Sequence, residues 1–416
     1  MRPERWIFLA GAPHQRATHV IAGLCAAVAL ALVLLGAGMR GGELRDDLIA
    51  LASRLSARPV LTADAAVPPA VGLHPVGVNT FLEQEVESEK RRKTLALVRA
   101  AGFGAIRQQF PWMEIEPDQK GVYWDARWQH STWAKYDEIV ALAEEYGLDV
   151  LARLDTTPAW ARPGNPSPSA PPADVTDYGD FVATFVQRYA GRIRYIQLWN
   201  EPNLASEWGD QPVDPQAFAA LLAEGYRRAK AADPDVVVVA PALAPTVEDS
   251  PWAQSELRYL DALYAAGAGG SFDILAVQAY GLRDGPDDRR LDPERVNFSR
   301  PLLVRELMVR HGDAHKPVWA TELGWNALPD GFAGPAVYGR VTEAQQARYT
   351  VRALERIREE WPWLQRSFIW YLKRADDQRR DEAWYYFRLL EPDFTPLPVF
   401  TALQEYLRGR GAPVSR

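Results

Sequence analysis

The sequence is poor in cysteine and histidine. It has one cysteine, Cys25, among 416 residues, which excludes an intramolecular disulfide and any multi-cysteine zinc site. Its six histidines form no HExxH motif, so a metal site has little support. Basic residues are in the minority, since 47 Lys and Arg accompany 54 Asp and Glu. Binding of nucleic acid is not expected, because phosphate binding needs clustered Lys and Arg.

Motifs for nucleotide binding and for serine catalysis are missing as well. The sequence contains no GxxxxGK[ST] and no GxSxG, and we therefore expect neither a nucleotide cofactor nor a serine nucleophile. Aromatic residues, in contrast, are abundant: 15 Trp, 16 Tyr and 14 Phe. Aromatic rings fill protein cores and also stack on the apolar faces of sugars, so composition alone leaves both interpretations open.

The amino-terminal region carries one long run without charge. The run VIAGLCAAVALALVLLGAGM, residues 20–39, is long enough to cross a bilayer as a helix. Three arginines precede it, which favours a cytoplasmic amino terminus. The alternative is a cleaved signal peptide of a secreted protein, although such apolar regions are shorter, about 7 to 15 residues. We predict a cytoplasmic segment 1–19, a transmembrane helix 20–39 that anchors the protein in the membrane, and a juxtamembrane helix and linker over 40–72.

The remaining part, residues 73–410, alternates short apolar runs with amphipathic stretches. We predict strands at 75–79, 105–109, 149–154, 193–199, 236–240, 274–278, 318–321 and 366–370. Each run is followed by a pattern typical of a helix, and eight such units predict an α/β fold, the (β/α)8 TIM barrel. The alternative is an open doubly wound sheet. It is disfavoured because the loop after the first strand, TFLEQEVESEK, lacks the glycines of a phosphate-binding turn.

Two glutamates follow predicted strands. Glu201 lies in LWNEPN after the fourth strand, and Glu322 lies in VWATELGW at the end of the seventh. In a TIM barrel the carboxyl ends of the strands form the site, and strands four and seven face each other across its mouth. Hydrolysis of a glycosidic bond requires two such carboxyl groups, one protonated and one ionised.

These segments carry a family resemblance. NEP at 200–202, TELGW beginning 121 residues after it, and TPAWA at 157–161 resemble the clan A glycoside hydrolases, families 39 and 5 in particular, over residues 73–410. The resemblance implies a TIM barrel and retention of anomeric configuration. It also implies that Glu201 is the general acid/base, that Glu322 is the nucleophile, and that Asn200 hydrogen-bonds the 2-hydroxyl of the sugar.

Three further residues are assigned through the same resemblance. Arg107 on the second strand is similar to an arginine that hydrogen-bonds the nucleophile. Tyr280, two residues after the sixth predicted strand, is similar to a hydroxyl that touches the nucleophile, and Trp370 on the eighth strand to a sugar platform. Each also has a structural interpretation: a surface arginine, a core tyrosine and a buried barrel tryptophan. The sequence departs from many clan members at Gln278 and from some at Asn79, where those relatives have histidine.

Long loops after several strands contain Trp160, Trp208 and Trp325, which we predict to be stacking surfaces for sugars. The expected activity is a retaining glycosidase without a cofactor, acting on an oligo- or polysaccharide outside the cytoplasm. Two alternatives stay open at this point, a non-catalytic carbohydrate-binding barrel and a transglycosylase that remodels a polysaccharide.

Overall fold

The computed structural model describes residues 67–70 and 72–409. The predicted segment 1–19, the predicted transmembrane helix 20–39 and most of the predicted linker 40–72 lie outside the described residues. Within the described residues, no helix has the length and apolarity needed to cross a membrane.

Eight parallel strands form the central sheet. They are β1 (Val76–Thr80), β2 (Ala105–Pro111), β3 (Asp149–Asp155), β4 (Tyr195–Leu198), β5 (Val237–Val239), β6 (Leu275–Tyr280), β7 (Val318–Gly324) and β8 (Leu364–Ile369). Most of their residues are buried on both faces, as is typical of parallel sheets that are covered by helices. The sheet confirms the predicted TIM-barrel fold class.

The sheet closes on itself. Its strand order is β5-β4-β3-β2-β1-β8-β7-β6, and parallel bridges join the two outer strands, Val239 to Ile274 and Leu243 to Val277. The backbone N–H of Ala240 donates to the carbonyl of Ile274 at 2.9 Å. Closure brings the carboxyl ends of all the strands around one mouth.

A helix follows each strand of the barrel. These helices are α1 (Ser88–Ala101), α2 (Ala134–Glu145), α3 (Val175–Arg188), α4 (Pro215–Ala232), α5 (Glu256–Ala265), α6 (Pro301–Arg310), α7 (Glu343–Glu360) and α8 (Pro398–Gly409). Local signals begin and end several of them. Asp214 accepts two backbone N–H groups at the start of α4, and Thr342 with Gln345 forms a capping box on α7. Gly102 ends α1 with a φ of 97°, which favours glycine.

Short elements lie in the connections. They are a helix at Trp112–Ile115, a two-stranded ribbon of Trp124–Asp125 with His130–Ser131, and 3-10 turns at Leu82–Gln84, Ala159–Ala161, Ala205–Glu207, Ala268–Ser271 and Ala383–Phe387. Several of these elements follow the carboxyl ends of strands, so they help to build the mouth of the barrel.

The lower half of the barrel is filled with side chains. Its interior cluster consists of Ala105, Leu151, Val239, Ala242, Ile274, Ala276, Trp319 and Phe368. Arg366 closes the amino-terminal end: its Nε donates to the carbonyl of His74 at 2.9 Å, and its guanidinium lies 5.0 Å from the centre of the Trp319 ring. Space for a ligand inside the barrel therefore lies towards the carboxyl ends.

Two of the strands at the site extend further towards the mouth than the sequence predicted. β7 continues to Gly324, so Glu322 lies within the strand, and β6 continues to Tyr280, which is therefore its last residue. The two strands pair directly, with Gln278 opposite Glu322 and Tyr280 opposite Gly324. The extension fixes the position of Glu322 through ladder hydrogen bonds instead of leaving it on a loop.

Candidate active site

Glu322 is a buried carboxylate with a hydrogen bond to each oxygen. Its side chain lies on β7, and the residue is 4% exposed. Arg107 Nη1 donates to Oε1 at 2.8 Å, and the hydroxyl of Tyr280 donates to Oε2 at 2.6 Å. A guanidinium and a hydroxyl in these positions stabilise negative charge on the carboxylate, as a nucleophile requires.

Arg107 is itself held in place by neighbouring amides. Nη1 donates to Asn79 Oδ1 at 2.8 Å, Nη2 to Asn200 Oδ1 at 2.9 Å, and Nε to Gln197 Oε1 at 2.7 Å. Arg107 is fully desolvated among these partners, with 2% of its surface exposed. The network fixes Glu322 and the amide of Asn200 relative to each other, because both accept from the same rigid guanidinium.

Glu201 follows β4 in a strained turn. Trp199 and Glu201 have positive φ values of 71° and 44°, a region that costs non-glycine residues about 1–3 kcal/mol each. The surrounding backbone holds this turn: Trp199 N–H donates to the carbonyl of Leu154 at 3.0 Å, and Glu201 N–H to that of Ala242 at 3.1 Å. Strain at this point is evidence that the direction of the Glu201 side chain matters for function.

Gln278 links the two glutamates. Its Nε2 donates to Glu201 Oε1, and its backbone lies opposite Glu322 in the β6–β7 ladder. The structure thus brings Glu201, Glu322, Asn200, Arg107 and Tyr280 into one cluster at the mouth, as the sequence placed them. Their chemical roles stay predictions.

The environment of Glu201 favours its protonated form. Burial raises the pKa of Glu201 to about 8, and the negative charges of Glu322 and Glu207 act in the same direction. Hydrogen bonding from Gln278 opposes that shift in part. At neutral pH one carboxyl of the cluster is therefore protonated, and it can donate a proton to a leaving oxygen.

Trp370 and Tyr280 lie at the ends of β8 and β6, the two strands that flank β7 in the sheet. Trp370 comes directly after β8, is half-buried, and packs edge-on against Phe81 with ring centres 5.7 Å apart. Its remaining exposed surface fits the predicted sugar platform, whose role stays a prediction. Burial, followed by the charge of Glu322, raises the pKa of Tyr280 well above its ordinary value, so the hydroxyl remains a donor.

Two of the three loop tryptophans that were predicted to stack on sugars are buried in the structure, so the prediction is wrong for these two. Trp208 and Trp325 are 2% and 0% exposed, because Trp208 packs against Trp199 and Trp325 packs against Phe298. A ring enclosed in this way presents no face to a sugar. Trp160 is half-buried, and its Nε1 donates to a backbone carbonyl at 2.9 Å.

A third carboxyl, Glu207, was missed by the sequence analysis. Burial raises the pKa of Glu207 to about 7, while the charge of Arg153 opposes the shift. Arg153 Nε lies 2.8 Å from Asp155 Oδ2 on the same strand. No sequence signal distinguishes Glu207 from a solvated loop residue, since its partial burial results from how the turn after β4 packs, where Trp199 Nε1 donates to the Glu207 carbonyl at 3.0 Å.

Metal-binding geometry is missing from this cluster. Across residues 67–70 and 72–409, no group of three or more His, Cys, Asp or Glu side chains is placed to hold a metal ion. Amides and arginines engage the acidic groups instead; for example, Gln109 Nε2 donates to Asp155 Oδ1 at 2.7 Å.

The raised pKa of Glu201 predicts the alkaline limit of activity. Below pH 8 the carboxyl is protonated and can act as an acid, and above pH 8 it loses its proton, so kcat/KM should fall with a midpoint near pH 8. Replacing Glu207 with Gln removes a neighbouring negative charge, so the midpoint should move to lower pH. Profiles of kcat/KM against pH for both proteins test this. An unchanged or higher midpoint in Glu207→Gln would contradict the assignment.

Comparisons with known proteins agree with this fold. Residues 71–262 match the family model Cellulase (glycosyl hydrolase family 5). A family 39 glycoside hydrolase from Bacteroides cellulosilyticus WH2 has a TM-score of 0.61 at 20% identity, with 84% of this chain and 65% of that chain covered. A family 5 subfamily 18 protein from Streptomyces cattleya, solved with Manβ1-4GlcNAc, has a TM-score of 0.60 at 19% identity, with 83% of each chain covered.

A monomeric β-xylosidase from Caulobacter crescentus is also similar, with a TM-score of 0.56 at 18% identity over 81% of this chain and 68% of that one. A search of curated protein sequences gave no significant match. At these identities the solved structures show a common fold, and the family model adds a sequence match over the first half of the barrel. Together they confirm the predicted resemblance to the clan A glycoside hydrolases and, with it, the expected enzyme class, a glycoside hydrolase.

Proposed function

We propose that the protein is a retaining β-glycosidase in which Glu201 is the general acid/base and Glu322 the nucleophile. One observation carries the proposal: two carboxyl groups of the same cluster lie in opposite environments. Glu201 is desolvated next to negative charge, which raises its pKa to about 8. Glu322 accepts hydrogen bonds from the Arg107 guanidinium and the Tyr280 hydroxyl, which place a positive charge and a donor at its two oxygens.

The first step forms a covalent intermediate. A Glu322 oxygen attacks the anomeric carbon while the bond from that carbon to the leaving oxygen breaks, and Glu201 gives its proton to that oxygen. The Glu322–sugar ester is the product of this step, and Glu201 is left ionised. Arg107 holds Glu322 in position for attack, so orienting the nucleophile adds little to the activation free energy.

The second step releases the sugar. Ionised Glu201 removes a proton from a water molecule, the water oxygen attacks the anomeric carbon, and the bond to Glu322 breaks. Two inversions restore the original anomeric configuration. A sugar hydroxyl in place of water would give transglycosylation by the same chemistry.

The substrate we propose is a β-linked oligo- or polysaccharide outside the cytoplasm, where the predicted membrane helix would place the barrel. Half-buried Trp370 at the mouth supports a sugar ligand. Among the similar structures, one was solved with Manβ1-4GlcNAc and another is described as a β-xylosidase. Mannosides and xylosides therefore belong in the first set of test substrates.

The test is a hydrolysis screen with the full chain. β-Linked oligosaccharides of mannose, xylose and glucose, together with the corresponding β-glycosyl fluorides, would be offered to the wild type, and the anomer first released would be followed by NMR. We expect turnover with retention. Release of the inverted anomer would overturn the retaining mechanism, and binding without turnover of any substrate would favour a carbohydrate-binding barrel. Products longer than the substrate would identify transglycosylation.

A further inference from the structure

Arg374 is a cation without an acidic partner on the connection from β8 to α8. Among the described residues, its guanidinium forms no ion pair and donates no hydrogen bond to the protein. The preceding residue differs, because Lys373 forms a buried ion pair with Glu85. Arg374 is nevertheless half-buried, so its guanidinium has lost part of its hydration. Polar groups in such a position normally have a partner, and these donors therefore indicate a ligand.

Two aromatic rings hold the Arg374 guanidinium. Its Cζ lies 4.6 Å from the centre of the Phe81 ring and 5.1 Å from the centre of the Trp384 ring. The faces of aromatic rings attract a cation, and contacts with two of them restrict the side chain. The N–H groups at the edge of the planar guanidinium remain available to donate. Arg374 is therefore a preorganised donor, which lowers the entropic cost of binding an acceptor.

The Phe81 ring also places Arg374 next to the predicted sugar platform. Phe81 directly follows β1 and packs edge-on against Trp370, with ring centres 5.7 Å apart. Trp370 directly follows β8. Arg374 is thus one ring away from Trp370, at the carboxyl ends of two neighbouring strands, where the mouth of the barrel lies.

The strand order indicates which part of the substrate lies near Arg374. In the closed sheet β8 is next to β1, and it is four strands from β4 in either direction. Glu201, which follows β4, is the group proposed to protonate the leaving oxygen, so the leaving group lies towards that side of the mouth. Arg374 lies on the opposite side. The sugars near it are therefore the one attacked by Glu322 and any sugar linked beyond that one, which together form the glycone side of the substrate.

We propose that Arg374 binds the carboxylate of a uronic acid on the glycone side, so that the substrate is an acidic β-linked polysaccharide. This inference rests on the proposed glycosidase function and deepens it by naming the substrate class. Two N–H groups of a planar guanidinium can donate to both oxygens of one carboxylate. A neutral sugar in the same place offers only a hydroxyl, whose hydrogen bond to the cation is weaker because it lacks the charge of the carboxylate.

The test uses β-glycosyl fluorides, because every sugar of such a substrate lies on the glycone side. Fluorides of the monosaccharides and β-linked disaccharides of mannose, xylose and glucose are each paired with a counterpart that carries a carboxylate on C5 of its terminal sugar. The wild type should prefer the acidic member of at least one pair. For that member Arg374→Ala should lower kcat/KM about 10- to 100-fold, because it removes hydrogen bonds between charged groups. The neutral member should react as before.

Two further variants separate the fork of the guanidinium from the charge of the loop. Arg374→Lys keeps the charge and loses the planar fork, so its kcat/KM for the acidic member should lie between those of the wild type and Arg374→Ala. Arg379→Ala is the matched control. Arg379 is exposed in the same connection and also has no acidic partner among the described residues, so this variant should alter neither reaction. Equal losses in Arg379→Ala and Arg374→Ala would assign the effect to the charge of the loop and overturn the site.

Two outcomes separate this inference from the function on which it rests. If the wild type hydrolyses these substrates without favouring an acidic member, or if Arg374→Ala lowers both members of a pair equally, the carboxylate site is overturned and the glycosidase function stands. If the wild type hydrolyses none of the fluorides, acidic or neutral, and none of the oligosaccharides of the screen, the proposed function fails, and the carboxylate site fails with it.

Discussion

We expect Glu322→Gln to lower kcat/KM for the preferred β-linked substrate by about 10⁴-fold or more, because it removes a nucleophile that acts in both chemical steps. The amide keeps the shape of the side chain and one oxygen that can accept from Arg107 or Tyr280. The loss should appear in kcat, with substrate binding largely retained. Steady-state kinetics and calorimetric binding to the inactive variant measure the two quantities separately.

The matched control for this variant is Glu89→Gln. Glu89 is exposed in the first turn of α1 and takes no part in the hydrogen bonds of the cluster described above, so this change should leave both kcat and KM unaltered. A Glu322→Gln protein that is folded and retains more than about a hundredth of the wild-type kcat would remove Glu322 from the nucleophile role.

The barrel could be predicted from the sequence because its signals are local. Each strand is a short apolar run buried on both faces, and each helix has an amphipathic pattern with its own start and stop signals. The run VVVVA at 236–240 is typical of a strand that is buried on both faces. The ends of strands depend on pairing partners, which explains why the extensions of β6 and β7 were not predicted.

The core of the candidate site was predictable for a related reason. Residues at the carboxyl ends of barrel strands converge whatever the loops do, so the positions of Glu201 and Glu322 followed from their strands, whereas Arg107 was assigned through the family resemblance. The environments of loop residues could not be predicted from the sequence, because they depend on packing against residues that are distant in the chain. Trp208 and Trp325 were expected at the surface and are buried, whereas Glu207 was not singled out and lies beside the acid.

Gln278 could be singled out from the sequence, but its contact could be identified only in the structure. The sequence marked it as a departure from related enzymes, and the structure shows that its amide donates to Glu201. An amide does not titrate, so the ionisation of Glu201 depends on burial and on the neighbouring carboxyl groups. For this reason, replacing Glu207 with Gln should lower the pH above which activity falls.

Replacing Glu201 with Ala should have an effect that depends on the leaving group. For a β-linked disaccharide we expect kcat/KM to fall about 10²- to 10⁴-fold, since the alkoxide leaves poorly without a proton. For the β-glycosyl fluoride of the same sugar the first step should be nearly unaffected, because fluoride leaves without protonation. The second step should become slow, and a burst of fluoride should precede slow turnover, since no base activates the water.

A small anion should then replace the missing base. Azide needs no deprotonation, so added azide should accelerate turnover of the fluoride by Glu201→Ala and release a β-glycosyl azide, formed with net retention. The same addition should not restore a retained product in Glu322→Gln, which lacks the nucleophile that forms the intermediate. Equal losses on disaccharide and fluoride, with no response to azide, would show that Glu201 acts in some way other than by proton transfer. The opposed environments of the two carboxyl groups would then need a different explanation.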